Sequence, residues 1–212
     1  MKNILKGSII VLIMVMLGSC SKELLDPAPK TALGELQAFD NIDRIEGQVN
    51  GMYAMMKVGQ FFGGRYFIYN DIRADNFVPT SSNGTTGYDT YTHNVVNSTN
   101  EVQNLWGAAY AAINAINIFI EGLDENWTAG NLEGIITEAE YKSYNAEALA
   151  LRGVCYFSLL QLYAQPYNKD GGNSLGLPLR LSAYKTGDGN DMARSTVAEV
   201  YTQILSDLNT AE

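Results

Sequence analysis

The sequence predicts a mostly α-helical fold in which amphipathic helices are joined by long loops. Apolar residues recur at three- and four-residue spacing in four segments of the chain, which is the pattern of helices with one buried face. Three of these segments follow a Ser or Thr placed three residues before a Glu, a signature of helix starts. The chain has 212 residues, 46% of them hydrophobic. That is enough for one helical domain with its own core, or for part of a larger one.

The first element is a lipoprotein signal peptide over residues 1–19. Its start is positively charged, and residues 8–17 are an uncharged, mostly aliphatic stretch, too short to span a bilayer as a stable helix. Leu17-Gly-Ser-Cys20 then resembles the bacterial lipobox, whose Cys receives a diacylglyceryl group and becomes the first mature residue. The sequence therefore predicts lipidation of Cys20, with acyl chains such as palmitate as membrane anchors. A free cysteine after an ordinary secretory signal is the alternative.

A tether over residues 20–36 is predicted between this anchor and a helical body at residues 37–212. Pro27 and Pro29 disfavour a helix in the tether, and its charged side chains keep it solvated. The first helix of the body follows, and three glycines at 59, 63 and 64 are expected to end it. Its apolar stripe is Phe39, Ile42, Ile45, Val49, Met52, Tyr53 and Met56.

Residues 59–97 are predicted to form a long polar loop region that carries the ligand site. Long segments without periodicity are usually binding loops or disordered, and the interleaved tyrosines favour an ordered loop. Aromatic rings beside Asn and His suit a polyhydroxylated ligand, because a sugar offers both a C–H face and hydroxyl groups. The candidate ligand-binding residues are Asn76, Tyr88, Tyr91 and His93. The alternative, of similar weight, is that Tyr88 and Tyr91 only pin the loop to the core.

Three further helices are predicted from capping signals in the second half of the chain. The signals are Ser98-Thr-Asn-Glu101, Thr137-Glu-Ala-Glu140 and Thr196-Val-Ala-Glu199. Each is followed by an apolar face at helical spacing, and the second of these helices is expected to end before Pro166. The last helix is still in register at Glu212 without a Gly or Pro stop signal, so we expect the sequence to continue in a longer protein.

Neither catalysis nor metal binding is predicted. Cys155 has no disulfide partner once Cys20 is acylated, and its apolar neighbours indicate a buried structural thiol. His93 is the only histidine, so a multi-histidine metal site cannot form. Glu147 and Arg152 are expected to be paired or solvent-facing charges, and no nucleophile–base pair suggests a hydrolase. The net charge of −9 excludes the basic surface that nucleic acid binding requires.

The order of the motifs resembles the N-terminal region of SusD/RagB-type outer-membrane lipoproteins. After the lipobox, the similar stretches are Leu24-Leu-Asp-Pro27, Gly51-Met-Tyr53, Trp106-Gly-Ala-Ala-Tyr110-Ala-Ala-Ile-Asn114-Ala-Ile-Asn117, Glu147-Ala-Leu-Ala-Leu-Arg152-Gly-Val-Cys-Tyr156-Phe, Gly176-Leu-Pro-Leu179 and Arg194 to Leu208. The resemblance implies helix pairs like those of tetratricopeptide repeats. The helix starts alone do not show such a repeat, because they keep no period of about 34 residues.

The resemblance also implies a function. The protein is expected to lie on the cell surface, held at the outer membrane by its lipid anchor. There it would bind an oligo- or polysaccharide and deliver it to a SusC-type TonB-dependent transporter, without catalysis or a cofactor. A peptide-binding member of the family and a lipid-anchored helical scaffold without its own ligand are the alternatives. Family members are usually more than twice as long, so much of the ligand platform is expected outside this chain.

Overall fold

The computed structural model describes residues 38–78, 80, 87–185 and 191–212. Within these residues it contains six α-helices, one 3₁₀ turn and no strand. The helices are α1 (Ile42–Met56), α2 (Arg65–Arg73), α3 (Tyr88–Tyr91), α4 (Asn100–Thr128), α5 (Glu138–Tyr163) and α6 (Val197–Ala211), and the 3₁₀ turn is Tyr167–Lys169. The predicted mostly α-helical class is confirmed. The signal peptide, Cys20 and the tether lie outside the described residues.

Helices α4 and α5 form an antiparallel pair at the centre of the fold. Near the end of α4, Trp127 stacks on Tyr141 near the start of α5, with ring centroids 4.6 Å apart. At the opposite ends, Trp106 meets the edge of Tyr163 at 5.0 Å. Helix α6 packs on α5, and α1 packs on α4, so the helices form the tetratricopeptide-like pairs that the resemblance implies. None of these helices is long and apolar enough to cross a membrane.

Two of the three predicted capping boxes are present. The Thr137 hydroxyl accepts a hydrogen bond from the Glu140 N–H at 3.3 Å, and the Glu140 carboxylate accepts from the Thr137 N–H at 2.7 Å. Thr196 and Glu199 repeat the same exchange at the start of α6. Both boxes satisfy backbone donors that a helix cannot satisfy internally.

The third predicted capping box, at Ser98 and Glu101, is wrong. The N-cap of α4 is Thr99, and its side chain makes no bond to the helix N–H groups. The Thr99 hydroxyl instead accepts from the Val96 N–H at 3.0 Å. The Glu101 carboxylate accepts from the N–H and the hydroxyl of Thr90. A buried tertiary contact has therefore replaced the local cap.

The predicted loop region at residues 59–97 is only partly a loop. Helix α2 occupies residues 65–73, and the single turn of α3 occupies residues 88–91. Tyr69 and Ile72 of α2 are buried against the rest of the domain. A helix of this length is marginal by itself, so packing of these two residues is what stabilises it.

An extended segment over residues 177–184 lies against α4 and α5. Asn117 of α4 donates to the Arg180 carbonyl at 2.9 Å. Asn114 donates to the Tyr184 carbonyl at 3.1 Å and accepts from the Tyr184 N–H at 2.7 Å. The two asparagines of the motif in α4 therefore hold this segment in place.

A buried ion pair joins Arg152 of α5 to Asp207 of α6. Arg152 Nε and Nη2 donate to the two carboxylate oxygens of Asp207 at 2.8 and 2.7 Å, and Nη1 donates to Asn117 at 3.0 Å. The expectation that Arg152 is a paired charge is confirmed. Glu147, for which the same was expected, accepts from the Tyr53 hydroxyl at 2.6 Å.

Candidate functional site

A cavity of about 780 Å³, here called the α4–α5 cavity, lies where the start of α4 meets the end of α5. Its volume is within the range of roughly 300–1,000 Å³ that is usual for small-ligand sites. The walls come from α2, from α3 and the segment after it, from the start of α4, from the end of α5, and from the loops that follow α5. The polar and aromatic side chains of its lining include Tyr69, Arg73, His93, Glu101, Tyr163 and Arg194.

Glu101 anchors one wall of the α4–α5 cavity. It is 3% exposed, and its Oε2 accepts from the Thr90 N–H at 3.1 Å and from the Thr90 hydroxyl. These bonds tie α3 to the first turn of α4, where the positive end of the helix dipole stabilises a carboxylate. The other oxygen, Oε1, is buried and has no hydrogen-bond partner among the described residues. Residues 93–97, which form this wall, are thus flanked by Thr90 and Thr99, and both threonines are held by hydrogen bonds.

Two arginines line the cavity at the C-terminal end of α5. Arg194 donates from Nε to the Gly176 carbonyl at 2.7 Å and from Nη2 to the Tyr163 carbonyl at 3.1 Å. Arg73 donates from Nη1 to the Leu162 carbonyl at 3.4 Å. Both cations therefore lie at a helix terminus whose last carbonyls have no partner within the helix and whose dipole is negative. Neither arginine forms an ion pair with a carboxylate of the described residues.

Two tyrosines contribute aromatic surface to the cavity. The Tyr163 hydroxyl donates to the Val102 carbonyl at 2.7 Å, and burial raises the pKa of this hydroxyl well above its usual value. Burial also raises the pKa of Tyr69. Both hydroxyls therefore stay neutral at physiological pH, so the charge that lines the cavity comes from its arginines and Glu101.

The four sequence-predicted ligand residues do not meet at one place. His93 is exposed and lines the α4–α5 cavity. Tyr91 lines a second cavity of about 330 Å³, whose other walls are largely apolar. Tyr88 is half-buried and Asn76 is exposed, and neither lines either of these two cavities. Their part in ligand binding stays a prediction.

Sequence reasoning missed most of the cavity lining. Tyr163 and Arg194 lie far from the predicted loop in the chain, and folding of α5 against α4 brings them to it. Glu101 was interpreted as a helix cap. The one sequence signal that points to Arg194 is its place at the start of the last stretch that carries the family resemblance.

The side chains of the α4–α5 cavity are of types that can bind a polar ligand. Within the described ranges, no three His, Cys, Asp or Glu side chains are placed to hold a metal ion. Cys155 is buried, and burial raises the pKa of its thiol to about 12, so it is no nucleophile at neutral pH. This confirms its predicted structural role. The cavity itself presents guanidinium, imidazole and phenol groups, which bind polar ligands.

Solved structures of SusD superfamily proteins share this fold. One from Bacteroides fragilis is 34% identical, with a TM-score of 0.72 over 81% of this chain and 39% of its own. One from Bacteroides thetaiotaomicron VPI-5482 is 28% identical, with a TM-score of 0.69 over 81% of this chain and 36% of its own. A third, from Bacteroides vulgatus ATCC 8482, is 25% identical, with a TM-score of 0.65 over 82% and 37%.

The chain thus spans well under half the length of these solved relatives. No curated protein is detectably similar to it in sequence. A family model described as SusD-like, "Starch-binding associating with outer membrane", matches residues 24–212. Fold, motif order and this match agree, and the chain belongs to the SusD-like family.

Proposed function

We propose that the protein is a cell-surface lipoprotein that binds a glycan and delivers it to a SusC-type TonB-dependent outer-membrane transporter. The observation that carries the proposal is the α4–α5 cavity, which has the volume and the polar and aromatic lining of a ligand site. The family description supports a glycan as the ligand and the outer membrane as the location, because it names starch binding and association with the outer membrane.

The lining of the cavity suits a sugar. Each sugar hydroxyl that becomes buried on binding needs a hydrogen-bond partner. The exposed side chains of His93, Asn97 and Gln165 offer donors and acceptors along the walls. Val95, Val96 and the ring of Tyr163 supply apolar surface for the C–H faces of the sugar. Recognition is therefore assigned to this cavity, and the protein is given no catalytic role, since binding and delivery break no bond.

Affinity electrophoresis of the full gene product in gels containing single polysaccharides tests the binding step. We expect retardation by at least one polysaccharide, reduced severalfold by His93→Ala. The matched control is Asn94→Ala, which changes the next residue, an exposed polar one that lines neither cavity. If Tyr91→Ala abolishes retardation and His93→Ala does not, the site is the second cavity instead. Retardation by no polysaccharide, with binding of peptides, would replace the glycan by a peptide.

The lipid anchor is tested separately. We expect Cys20→Ala to abolish incorporation of labelled palmitate and to release the protein from the outer-membrane fraction. Ser21→Ala, one residue further, is the matched control and should leave both unchanged. Retention of the label in Cys20→Ala would contradict the anchor.

Delivery to a transporter predicts a stable complex in the membrane. Affinity purification of the lipidated protein from detergent-solubilised outer membranes should recover a TonB-dependent transporter. If no transporter copurifies under conditions that preserve glycan binding, the protein is a binding lipoprotein without the proposed delivery step.

A further inference from the structure

We propose that the glycan bound in the α4–α5 cavity carries an anionic group, a carboxylate or a sulfate, which Arg73 and Arg194 recognise. The inference rests on the proposed function, since it names the chemical class of the glycan at that site. It goes beyond the family description, because starch is a neutral polysaccharide.

The first support is the pair of guanidinium groups that have no carboxylate partner within the part of the chain that the structure describes. Arg73 and Arg194 bind the carbonyls of consecutive residues, Leu162 and Tyr163, so both groups lie at the same helix end. Arg152, in contrast, is paired with Asp207 inside this domain. Two unit charges here face a helix dipole equivalent to only about half a charge, so the helix end does not neutralise them.

The second support is that both groups retain free donors. The bonds that hold Arg194 come from Nε and Nη2, which leaves Nη1 without a partner in the described residues. The bond of Arg73 comes from Nη1, which leaves its Nε and Nη2. A guanidinium with adjacent free N–H groups matches the two oxygens of a carboxylate or sulfate.

Glu101 cancels only part of this positive charge. Its carboxylate lies in the first turn of α4, accepts two bonds from Thr90, and has its unpartnered Oε1 buried away from solvent. A ligand in the cavity therefore meets the arginines more directly than this carboxylate. The partial charges at the start of α4 and at the end of α5 have opposite signs and offset each other. The two arginines and the one carboxylate then leave a positive charge of about one unit in the cavity lining. That sign is opposite to the chain as a whole, whose net charge is −9.

Matched polysaccharides test the inference on the full gene product. Polygalacturonate is compared with fully methyl-esterified pectin, and dextran sulfate with dextran, by affinity electrophoresis. We expect an acidic member to bind at least about tenfold more tightly than its neutral partner, because hydrogen bonds to charged groups are the stronger ones. The pair that shows the preference distinguishes carboxylate from sulfate.

Variants assign the preference to the two arginines. Arg73→Gln should remove most of the tenfold preference. Arg194→Lys keeps the charge and removes the planar donor geometry, so it should also reduce the preference for the acidic member. Lys142→Gln is the matched control, because it removes the same charge from a side chain that is 69% exposed at the other end of α5.

The outcomes separate this inference from the proposed function. Equal binding of acidic and neutral glycans overturns the inference and leaves glycan binding intact. A preference that survives in both Arg73→Gln and Arg194→Lys overturns the assignment to these arginines. If no polysaccharide binds, the proposed function and the inference fail together.

Discussion

Arg152 shows how a single residue ties three helices of this fold together. Its guanidinium binds Asp207 of α6 through two bonds and Asn117 of α4 through a third, and Gln203 donates to the same carboxylate at 2.7 Å. Arg152 is 7% exposed and Asp207 is 2% exposed. Such a pair adds little net stability over an apolar replacement, but removing one partner strands a buried charge.

The first prediction follows from this asymmetry. Arg152→Met should lower the free energy of unfolding by about 3–5 kcal/mol, because Asp207 is left buried and uncompensated. Urea unfolding measures the change. The double variant Arg152→Met, Asp207→Leu should lose clearly less than the single one, since it strands no charge. A single variant as stable as Lys142→Met, whose ion pair with Glu138 is exposed, would contradict the prediction.

Among the helices, two glycines of α4 have opposite roles. A Cβ added at Gly122 would lie 2.4 Å from the ring of Phe39, whereas a Cβ at Gly107 would meet nothing within 4 Å. Phe39 packs on Phe119 of the same helix at 5.9 Å between ring centroids. Gly122 is therefore the contact that lets the residue before α1 approach α4 closely, while Gly107 is an exposed weak point of the helix.

The second prediction compares these positions. Gly107→Ala should raise the free energy of unfolding by about 0.4–1 kcal/mol, because alanine restricts the unfolded chain and suits a helix. Gly122→Ala should lower it by about 1–3 kcal/mol, because the methyl group displaces the Phe39 ring. Thermal unfolding of the two variants measures both changes. Stabilisation by Gly122→Ala would show that Phe39 moves freely.

The third prediction concerns the helix starts. Thr137→Ala should lower the free energy of unfolding by about 1 kcal/mol, because it removes the hydroxyl that caps α5. Ser98→Ala should leave stability unchanged, because the N-cap of α4 is Thr99 and the Ser98 side chain is exposed. Urea unfolding distinguishes them. Equal losses in the two variants would restore the capping box that the sequence predicts at Ser98.

The starts of the helices explain how far sequence reasoning reached. α1 is predictable from its apolar period, and α5 and α6 are predictable because their apolar periods and their caps are local patterns that agree with each other. α2 was not, since it is short and its helicity depends on burying Tyr69 and Ile72. Glu101 has the spacing of a cap, but Thr90, brought near by the fold, binds it instead.

At the scale of the whole molecule, the cavity could not be predicted from local sequence patterns for the same reason. His93 was a candidate because it stands in a polar loop, and the structure places it on the wall of the α4–α5 cavity. Arg194 and Tyr163 come to that wall only through tertiary packing, and neither has a local pattern typical of a binding loop. Sequence reasoning thus finds polar loop residues, whereas the opposite walls of a site built between helices require the tertiary structure.

Buried tyrosines give the molecule a predicted sensitivity to alkaline pH. Tyr110, Tyr156 and Tyr163 lie along the interface of α4 and α5, and their hydroxyls donate to backbone carbonyls at 2.7–2.8 Å. Burial raises the pKa of all three. An ionised phenolate would lose its donor and bring a negative charge into the core, so the native state disfavours ionisation.

The fourth prediction fixes the sign of this effect. The unfolded chain releases tyrosine protons near pH 10 and the native state releases these three only at higher pH, so the unfolded state binds fewer protons above about pH 10. Stability is therefore fully present below that pH and falls as pH rises through the alkaline range. Each of the three tyrosines should contribute a loss of up to about 1.4 kcal/mol by one pH unit above 10. Urea unfolding at increasing pH measures the loss, and tyrosinate absorbance locates the titration. Tyr110→Phe should reduce the slope because it removes one of the three groups, and a slope unchanged by that substitution would mean that other groups control the alkaline transition.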